Sequence, residues 1–577
     1  MNIRRYIHRI LLVFSLILSV LGLLNGQIKT PLVYTLPIKN TVSFSGGFGE
    51  LRRNHFHTGL DFRTAGQIGL PVFAVNEGYL ARVAVSSSGY GLALYLLHPD
   101  GHTTVYGHLS RFHPSIEAYV KERQYLVRQF VVDLTLPAGL FPFKKGEIIA
   151  WSGNSGSSGG PHLHFEIRET QSEKPVNPLF YLPAIADKSS PRINSLYIYS
   201  QSICNNNIIV TRKQRFETIN SNKRTTLKNR QSIEVFGDIG IGIQTDDDFN
   251  GVGMKCGTYS VELYLDQQPV ISFKMDRLAF DQGRYINSHI DYEELIKNKR
   301  WIHKLYLQPG NKMEIYQSNE QRGLLKLSDG KSHDVKIVVG DINGNTNVLT
   351  FKLVQGTRPL VKANPVYTKL FYWDKPNMYE NDEVKIDLPE GTLYENLPFV
   401  YHKDNKSGNF FSAVHQIHHS YVPVHKPYLL SIKAQSILPK LQSKALVASI
   451  DPSGRYSSLG GEFQNGWVLA RPRVFGNFTV VLDTVPPKIQ SISIKENKTL
   501  LNKKRIAFKI TDNLSGIGSY KGEIDGKWAL FEYDAKSATI EYIIDEKRID
   551  RGKMHQLQLT VEDERKNSAA YKASFYL

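Results

Sequence analysis

The N-terminal quarter of the chain contains two short segments in which polar and apolar residues alternate strictly. Such alternation predicts β-strands with one buried face, because side chains two positions apart point to the same side of a strand. In the first segment His57 and Asp61 share the polar face, and the small Gly59 between them leaves room for an ion. In the second segment His162 and His164 share the polar face. Each segment therefore predicts a rigid strand that presents two potential metal ligands.

Beyond Pro183 the pattern changes to short alternating apolar runs that are broken by Gly, Asn, Asp and Pro. This pattern is typical of antiparallel β structure. A weak internal repeat organises the region, because residues 246–253 are echoed by residues 511–518. Similar closing strands follow at 335–345 and 557–563. The fold class predicted for the whole chain is therefore all-β dominated.

A long insert at about 114–142 interrupts the N-terminal region. Residues 117–123 predict a helix, and an apolar run follows at 130–140. A loop of this length in a compact domain is usually functional, for example as a lid or a binding wall. The alternative is a surface elaboration without a role. The apolar run offers a surface that can dock on the first β module that follows.

The N-terminus has the pattern of a signal peptide, with basic residues before an apolar run at 10–24. We place the cleavage near residue 27. The alternative is an uncleaved membrane anchor, because the run is close to spanning length. The pattern predicts an exported protein, periplasmic or secreted in the cell envelope, which touches a membrane only if the signal stays uncleaved.

Length and the changes in pattern divide the 577 residues into several domains. The predicted limits are a signal peptide at 1–27, an N-terminal domain at 28–186, a β-sandwich with an insertion near 276–319 at 187–358, a β-rich middle domain at 359–482 and a C-terminal β-sandwich at 483–577.

The residue types on the two N-terminal strands suit a zinc ion. Zinc accepts imidazole nitrogen and carboxylate oxygen, and a catalytic site uses three protein ligands and leaves one position to water. His57, Asp61 and one of the two strand histidines provide such a set. Spacing alone leaves open whether His162 or His164 is the ligand. A Tyr-Gly-His element that ends at His108 lies between the two strands and offers a further base.

The ordered set of His-Asp, Tyr-Gly-His and His-Leu-His resembles the lysostaphin-type (LytM-like) zinc endopeptidases, which cut the peptide part of bacterial cell walls. The resemblance covers about residues 40–182. It extends to the segments 44–49, 69–74, 144–150 and 153–156. It implies an antiparallel β-sheet peptidase domain that holds Zn²⁺ and acts on peptidoglycan peptides.

Carried over residue by residue, the resemblance implies that His57, Asp61 and His164 are the metal ligands. It implies that His162 and His108 are the catalytic histidines. Some members of this family have lost ligands and activate other wall hydrolases without cutting bonds themselves. The alternative function is therefore a non-catalytic or latent wall-binding activator, although all five side chains are present here.

The C-terminal block opens with Asp-Thr-Val-Pro-Pro at 483–487 and resembles bacterial immunoglobulin-like modules of exported proteins. Such modules usually hold an enzyme near its substrate or near other envelope proteins. We therefore expect the region after Pro183 to be dispensable for chemistry and to matter for targeting.

The net charge of +17 suits an anionic wall polymer. Nucleic acid is not expected as a partner, since the chain has no recognised binding motif.

Three further groups have open interpretations. Cys204 and Cys256 either form a disulfide or remain two free thiols. The acidic turn at 246–248 either binds calcium or is only a turn. Four histidines of the middle domain either form a second metal site or lie on a solvated strand or loop, which we favour because no acidic or cysteine partner has ligand spacing. They are His415, His418, His419 and His425.

Overall fold

The computed structural model describes most of the chain from residue 34 onward. The described residues are 34–39, 43–204, 207–221, 223–229, 232–249, 255–356, 366–404, 410–494, 498–500 and 503–577. The predicted signal peptide at 1–27 lies outside them. Within the described ranges, no helix combines the length and the apolar character that a membrane crossing requires.

The N-terminal domain is built on an antiparallel sheet with the strand order β1-β4-β13-β8-β7-β6-β10. A second sheet has the order β5-β12-β9. The strands are β1 Phe44–Gly46, β2 Leu51–Arg52, β3 His55–Phe56, β4 Leu60–Arg63, β5 Pro71–Phe73, β6 Gly78–Val85, β7 Leu92–Leu97, β8 His102–Leu109, β9 Arg111–Phe112, β10 Val132–Thr135, β11 Pro142–Phe143, β12 Ile148–Trp151, β13 His162–Glu169 and β14 Pro175–Val176, and a 3-10 turn follows at Pro178–Phe180. The predicted alternation is confirmed at the centre of the sheet, where Phe62 and Phe165 are fully buried.

The insert forms a helix, α1, at Pro114–Val127, as the sequence predicts. The apolar run that follows forms β10 and pairs with β6, so it extends the sheet of its own domain. The helix contacts the C-terminal end of the chain, where Lys121 forms a salt bridge of 2.7 Å with Asp545. The ring of Tyr125 packs against that of Trp528 at 5.1 Å between centroids. The insert therefore meets a partner other than the expected first β module.

The first β module, residues 187–356, links its strands into one sheet with the main order β20-β19-β15-β16-β17-β27-β26-β21-β22-β24. The strands are β15 Arg192–Cys204, β16 Asn207–Ser221, β17 Arg224–Leu227, β18 Ser232–Val235, β19 Asp238–Asp248, β20 Lys255–Cys256, β21 Ser260–Leu265, β22 Gln268–Lys274, β23 His303–Lys304, β24 Tyr316–Ser318, β25 Leu325–Lys326, β26 Ser332–Gly340 and β27 Thr346–Gln355. The predicted insertion near 276–319 contains a 3-10 helix at Phe280–Tyr285 and the helices α2, Ile286–His289, and α3, Tyr292–Asn298.

The two cysteines lie at opposite ends of this sheet. Cys256 is paired with Asp247, beside the first residues of β15. Cys204 is the last residue of that strand, roughly 40 Å further along at the usual rise per residue. A disulfide requires α-carbons within about 7 Å, so the pairing alternative is wrong. Cys256 accordingly carries a free thiol.

The middle module, 366–482, and the C-terminal module, 483–577, each place two principal sheets around a separate core. The strands are β28 Lys369–Phe371, β29 Asn377–Glu380, β30 Val384–Leu388, β31 Leu397–Phe399, β32 Tyr401–Asp404, β33 Val414–Ile417, β34 Leu429–Lys433, β35 Ala445–Ile450, β36 Tyr456–Ser458, β37 Glu462–Gln464, β38 Trp467–Ala470, β39 Gly476–Leu482, β40 Lys488–Ser491, β41 Lys498–Thr499, β42 Arg505–Thr511, β43 Ile517–Ile524, β44 Lys527–Ala529, β45 Phe531–Asp534, β46 Thr539–Ile543, β47 Met554–Asp563 and β48 Ser568–Tyr576, with a 3-10 helix at Pro439–Lys444. The β-dominated fold class is thereby confirmed.

The N-terminal domain and the first β module share one continuous apolar core. Their backbones are joined by hydrogen bonds from the Asn177 amide to the Asp276 carbonyl and from the Leu278 amide to the Pro175 carbonyl, each 2.9 Å. A side chain at Gly49 would collide with Met275, because that methionine lies 2.7 Å from the position of the missing β-carbon. The domain limits stay predictions, but the surfaces on the two sides of residue 186 are tightly packed together.

We expect residues 28–186, expressed alone, to be less stable than residues 28–356. Removal of the first β module uncovers Phe44 and Phe56, which are at most 2% exposed and pack against Phe249 and His289 of that module. Such exposure costs at least about 2 kcal/mol and lowers the melting temperature by roughly 4–8 °C. Thermal unfolding of both fragments gives the test. Equal melting temperatures would restore the expectation that the β modules are dispensable for the fold.

Candidate metal centre

The centre lies where β13 runs between β4 and β8. The register pairs His164 with Asp61 on β4 and with Gly107 on β8. Alternation on β13 then brings His162 to the same face as His164, and His57 approaches from the loop before β4. All three of His57, Asp61 and His164 are about 5–6% exposed. The pairing of strands that are distant in sequence therefore gathers the predicted residues.

Three donor atoms form a compact triangle at this point. The distances are 3.1 Å from His57 Nε2 to His164 Nδ1, 3.0 Å from His57 Nε2 to Asp61 Oδ1 and 2.9 Å from His164 Nδ1 to Asp61 Oδ1. Two imidazoles and one carboxylate are the donor types that zinc accepts. The chemistry and the spacing of the donor set fit a zinc ion.

The remaining ring nitrogens of both histidines have partners that orient the rings. His57 Nδ1–H donates to the Gly47 carbonyl at 2.8 Å, so Nε2 faces the centre. His164 Nε2–H donates to Glu166 Oε1 at 2.8 Å, so Nδ1 faces the centre. Outer partners of this kind fix the ring orientation of metal-binding histidines and increase their basicity.

The electrostatics of the centre favour positive charge. Burial by itself raises the pKa of the Asp61 carboxyl, but the charge of His57 and hydrogen bonds from His162 and His164 hold this pKa well below its usual range. Burial opposes protonation of His164, yet its hydrogen bonds to Asp61 and Glu166 raise its pKa to about 9. A cation at the triangle, whether a proton or a metal ion, is therefore stabilised by the surrounding carboxylates.

The other two predicted histidines lie at the mouth of the centre, with ring centroids 4.8 Å apart. His108 Nδ1 is 2.9 Å from the Ser155 carbonyl and His162 Nδ1 is 2.8 Å from the Gly160 carbonyl. The His108 ring donates through Nδ1–H and leaves Nε2 available. His162 Nε2 lies 3.4 Å from Asp61 Oδ1. Burial, followed by the neighbouring His164 and His162, lowers the pKa of His108 to about 3.

The backbone of His108 is strained, since its φ of 59° lies in the left-handed region. A non-glycine residue in this conformation costs roughly 1–3 kcal/mol and is frequent at functional sites.

Gly59 has a different role from the expected one. Its missing β-carbon would lie 2.3 Å from the Phe165 carbonyl, so the glycine permits close approach to β13 and does not provide space for an ion.

Residues 55–128, which contain these elements, match the sequence model of Peptidase family M23. The N-terminal domain is an M23 peptidase domain. Over 149 residues the chain is 34% identical to an uncharacterized metalloprotease of Haemophilus influenzae, a match that covers 25% of this chain and 26% of that protein. Over 154 residues it is 33% identical to the DD-carboxypeptidase/endopeptidase Mpg of Neisseria meningitidis, with coverages of 26% and 27%.

The chain thus spans about a quarter of the length of these curated relatives. Among solved structures, the catalytic domain of lysostaphin from Staphylococcus simulans is 28% identical, with a TM-score of 0.17, over 23% of this chain and 86% of that one. Residues 368–483 match the model of a Zu5-like domain, which corresponds to the middle module.

The M23 domain supports its metal centre with groups that the sequence analysis missed. Glu166, fully buried, accepts hydrogen bonds from His164 and from the Tyr90 hydroxyl at 2.5 Å, and pairs with Arg168 at 2.6 Å. Phe280 of the first β module covers the Arg168 guanidinium at 4.5 Å. The signal was present in the alternation itself, because His164, Glu166 and Arg168 are two positions apart on one face of β13.

The centre opens into a cleft of about 1130 Å³ between the M23 domain and the first β module. The far wall comes from residues within 272–283 and 313–317, which belong largely to the predicted insertion of that module. None of the residues that line the cleft in the described part of the chain comes from the insert at 114–142. The described insert thus forms neither a lid nor a wall of this cleft, and the far wall comes from the next module.

The histidines of the middle module are not gathered into a metal-binding group. The groups of His, Cys, Asp and Glu with suitable geometry in the described ranges contain none of them. His415 is fully buried and stacks on Tyr401, with 3.0 Å from its Nδ1 to the tyrosine hydroxyl. His418 is also buried and stacks on Phe399. The interpretation as solvated histidines is wrong for these two, which are core residues.

We expect His57→Ala, Asp61→Ala and His164→Ala to abolish metal binding, because each removes a donor atom of the triangle. His162→Ala and His108→Ala keep the metal, since the triangle stays complete. The exposed His402 gives a matched control, His402→Ala. Metal content by mass spectrometry on each purified variant gives the test. Loss of zinc from His162→Ala with retention in His164→Ala would contradict the assignment.

We expect Glu166→Gln to weaken metal affinity about 10- to 100-fold, because outer carboxylates orient and strengthen a histidine ligand. Glu173→Gln, at an exposed turn just after the same strand, is the matched control and keeps the wild-type affinity. Competition with a chromophoric zinc chelator measures both. Equal affinities would show that Glu166 contributes only to packing.

Proposed function

We propose that the protein is a zinc-dependent endopeptidase that hydrolyses peptide bonds in bacterial peptidoglycan. The observation that carries the proposal is the triangle of His57 Nε2, Asp61 Oδ1 and His164 Nδ1 at the floor of a peptide-sized cleft. The Gly47 carbonyl orients the His57 ring, and Glu166 orients the His164 ring. His57, Asp61 and His164 would hold the ion, with His162 and His108 as catalytic groups.

A bound zinc ion supplies Lewis acidity and lowers the pKa of a coordinated water toward neutrality. The chain's own contribution is proton transfer and charge stabilisation at the mouth of the centre. His108 keeps Nε2 free and is suited to accept a proton from water, and His162 lies beside it with Nε2 directed toward Asp61. The protonated ring then stabilises the tetrahedral intermediate and returns the proton to the leaving amine.

The cleft supports a peptide substrate bound between two domains. Its walls are bridged at the surface by salt bridges from Arg277 to Glu169, 3.0 Å, and from Lys174 to Glu314, 2.9 Å. Lys274, exposed in the far wall, offers a cation for a carboxylate of a stem peptide. A relative named as a DD-carboxypeptidase/endopeptidase supports wall peptides as the substrate class. We place the protein in the cell envelope, with other envelope proteins as partners of its β modules.

The alternative, a wall-binding activator that does not cut, depended on a groove blocked by the insert. The described residues of the insert lie away from the cleft, which favours the enzyme. The activator then becomes one outcome of the following test.

We expect the mature full-length chain, loaded with zinc, to release soluble muropeptides from isolated wall sacs. Release stops with a chelator and returns when zinc is restored, because the chemistry requires the ion. His162→Ala and His108→Ala keep their metal and lose about 10²- to 10⁴-fold in rate, as is typical for a lost general base. His402→Ala retains full activity. Mass spectrometry of the products identifies the bond, and no release at full zinc occupancy would support the activator.

A further inference from the structure

The first β module and the C-terminal module contain the same group of three carboxylates. In each group the carboxylate oxygens lie within 4.8 Å of one another. The members come from the residue that enters the module, from the strand end that the sequence repeat aligns, and from the end of the closing strand. They are Asp187, Asp247 and Asp341 in the first β module, and Asp483, Asp512 and Asp563 in the C-terminal module.

In the first β module a single asparagine holds two of these residues together. The Asn345 backbone amide donates to Asp341 Oδ1 at 2.7 Å. Its side-chain amide donates to Asp341 Oδ2 at 2.7 Å and to the Asp187 carbonyl at 3.0 Å. The entry segment is thereby fixed against the closing turn.

The C-terminal module repeats this arrangement bond for bond. The Asn567 backbone amide donates to Asp563 Oδ1 at 2.8 Å, and its side-chain amide donates to Asp563 Oδ2 at 2.6 Å and to the Asp483 carbonyl at 2.9 Å. The recurrence of one geometry in two modules with different sheet organisation indicates a shared role for the three carboxylates.

Two carboxylates of each group have no cationic side chain paired with them among the described residues. Asp247 is 4% exposed, and its Oδ1, in a carboxylate directed into the group, has no hydrogen-bond partner among the described residues. In the same ranges Asp512 Oδ1 is also buried without a partner. No salt bridge to lysine or arginine is found for Asp247, Asp341, Asp512 or Asp563 in the described part of the chain. A buried, unpaired carboxylate is costly unless a cation or a proton compensates it.

Both groups offer oxygen atoms, and this indicates which class of cation they would bind. Carboxylates, backbone carbonyls and water are the ligands of Ca²⁺, whereas zinc and copper sites draw on imidazole and thiolate. We propose that each group of three carboxylates binds one Ca²⁺ at the entry of its module. The two ions are distinct from the zinc of the M23 domain, and the inference does not depend on peptidase activity.

The position of the groups indicates what such ions do. Asp187 is the first residue of the module that forms the far wall of the cleft, and Asp483 is the last residue of the Zu5-like match. A bound ion joins the entry segment to two strand ends of the next module. Calcium would therefore fix the orientation of each module relative to the domain that precedes it, including the wall of the catalytic cleft.

Isothermal titration of CaCl₂ into the zinc-loaded, mature full-length chain tests the proposal, in buffer freed of calcium by a chelating resin. We expect two bound ions per chain, with dissociation constants on the order of 10⁻⁴ M, as in extracellular modules. Calcium should also raise the melting temperature. Asp247→Asn and Asp512→Asn should each remove one binding event, and the double variant should remove both. Zinc content should stay unchanged in all three.

Exposed aspartates at the opposite ends of the same closing strands provide matched controls. Asp329→Asn precedes β26 and Asp550→Asn precedes β47, and both should retain two sites. Absence of calcium binding by the wild type at millimolar concentration would overturn the proposal, whatever the variants do, and would leave protonation as the way the charge is neutralised. Two sites retained in the double variant would place the ions elsewhere and equally overturn it.

Discussion

The candidate metal centre depends on the hydrogen bond from His164 to Glu166 inside β13. Both groups are buried, so the bond is formed where water does not compete, and Arg168 keeps the glutamate charged. The bond directs Nδ1 of His164 toward Asp61 and His57. The centre thus uses one strand for a ligand and for the groups that orient it, and the register with β4 supplies the rest.

The same strand connects the centre to the neighbouring module. Arg168 is covered by Phe280, and the Gly47 carbonyl that orients His57 belongs to a residue packed against Cys256. Contacts from the first β module therefore reach the outer partners of both histidine ligands. Together with the shared core and the far wall of the cleft, they make the M23 domain and this module one structural unit.

The modules that follow are arranged around their entry points. In two of them an asparagine ties an aspartate of the closing turn to the carbonyl of the entering residue. Such a joint limits bending between consecutive domains, which matters because the first β module forms one wall of the cleft at the candidate metal centre. The helix α1 adds a second restraint through Lys121 and Tyr125, which contact the C-terminal module.

The sequence by itself determined the local elements: the strand of His162 and His164, the helix in the insert and the mainly β character of the described region after Pro183. Each follows from a period of two or from turn residues, which are local properties. The predicted strand through His57 is interrupted, because residues 57–59 form a loop between β3 and β4. Resemblance to a known family added the roles of the five histidine and aspartate residues. The same alternation could have predicted Glu166 as a neighbour of His164, because the two side chains lie on one face of β13.

Only the tertiary structure decided how distant segments meet. The partner of the insert, the origin of the cleft wall and the separation of Cys204 from Cys256 depend on how whole sheets pack and register, and no local pattern encodes that. The burial of His415 and His418 has the same cause. Histidine is a polar residue type, and only the packing around it decides whether its side chain is buried or exposed. The meeting of Asp187, Asp247 and Asp341 likewise required strands far apart in the chain to end at one place.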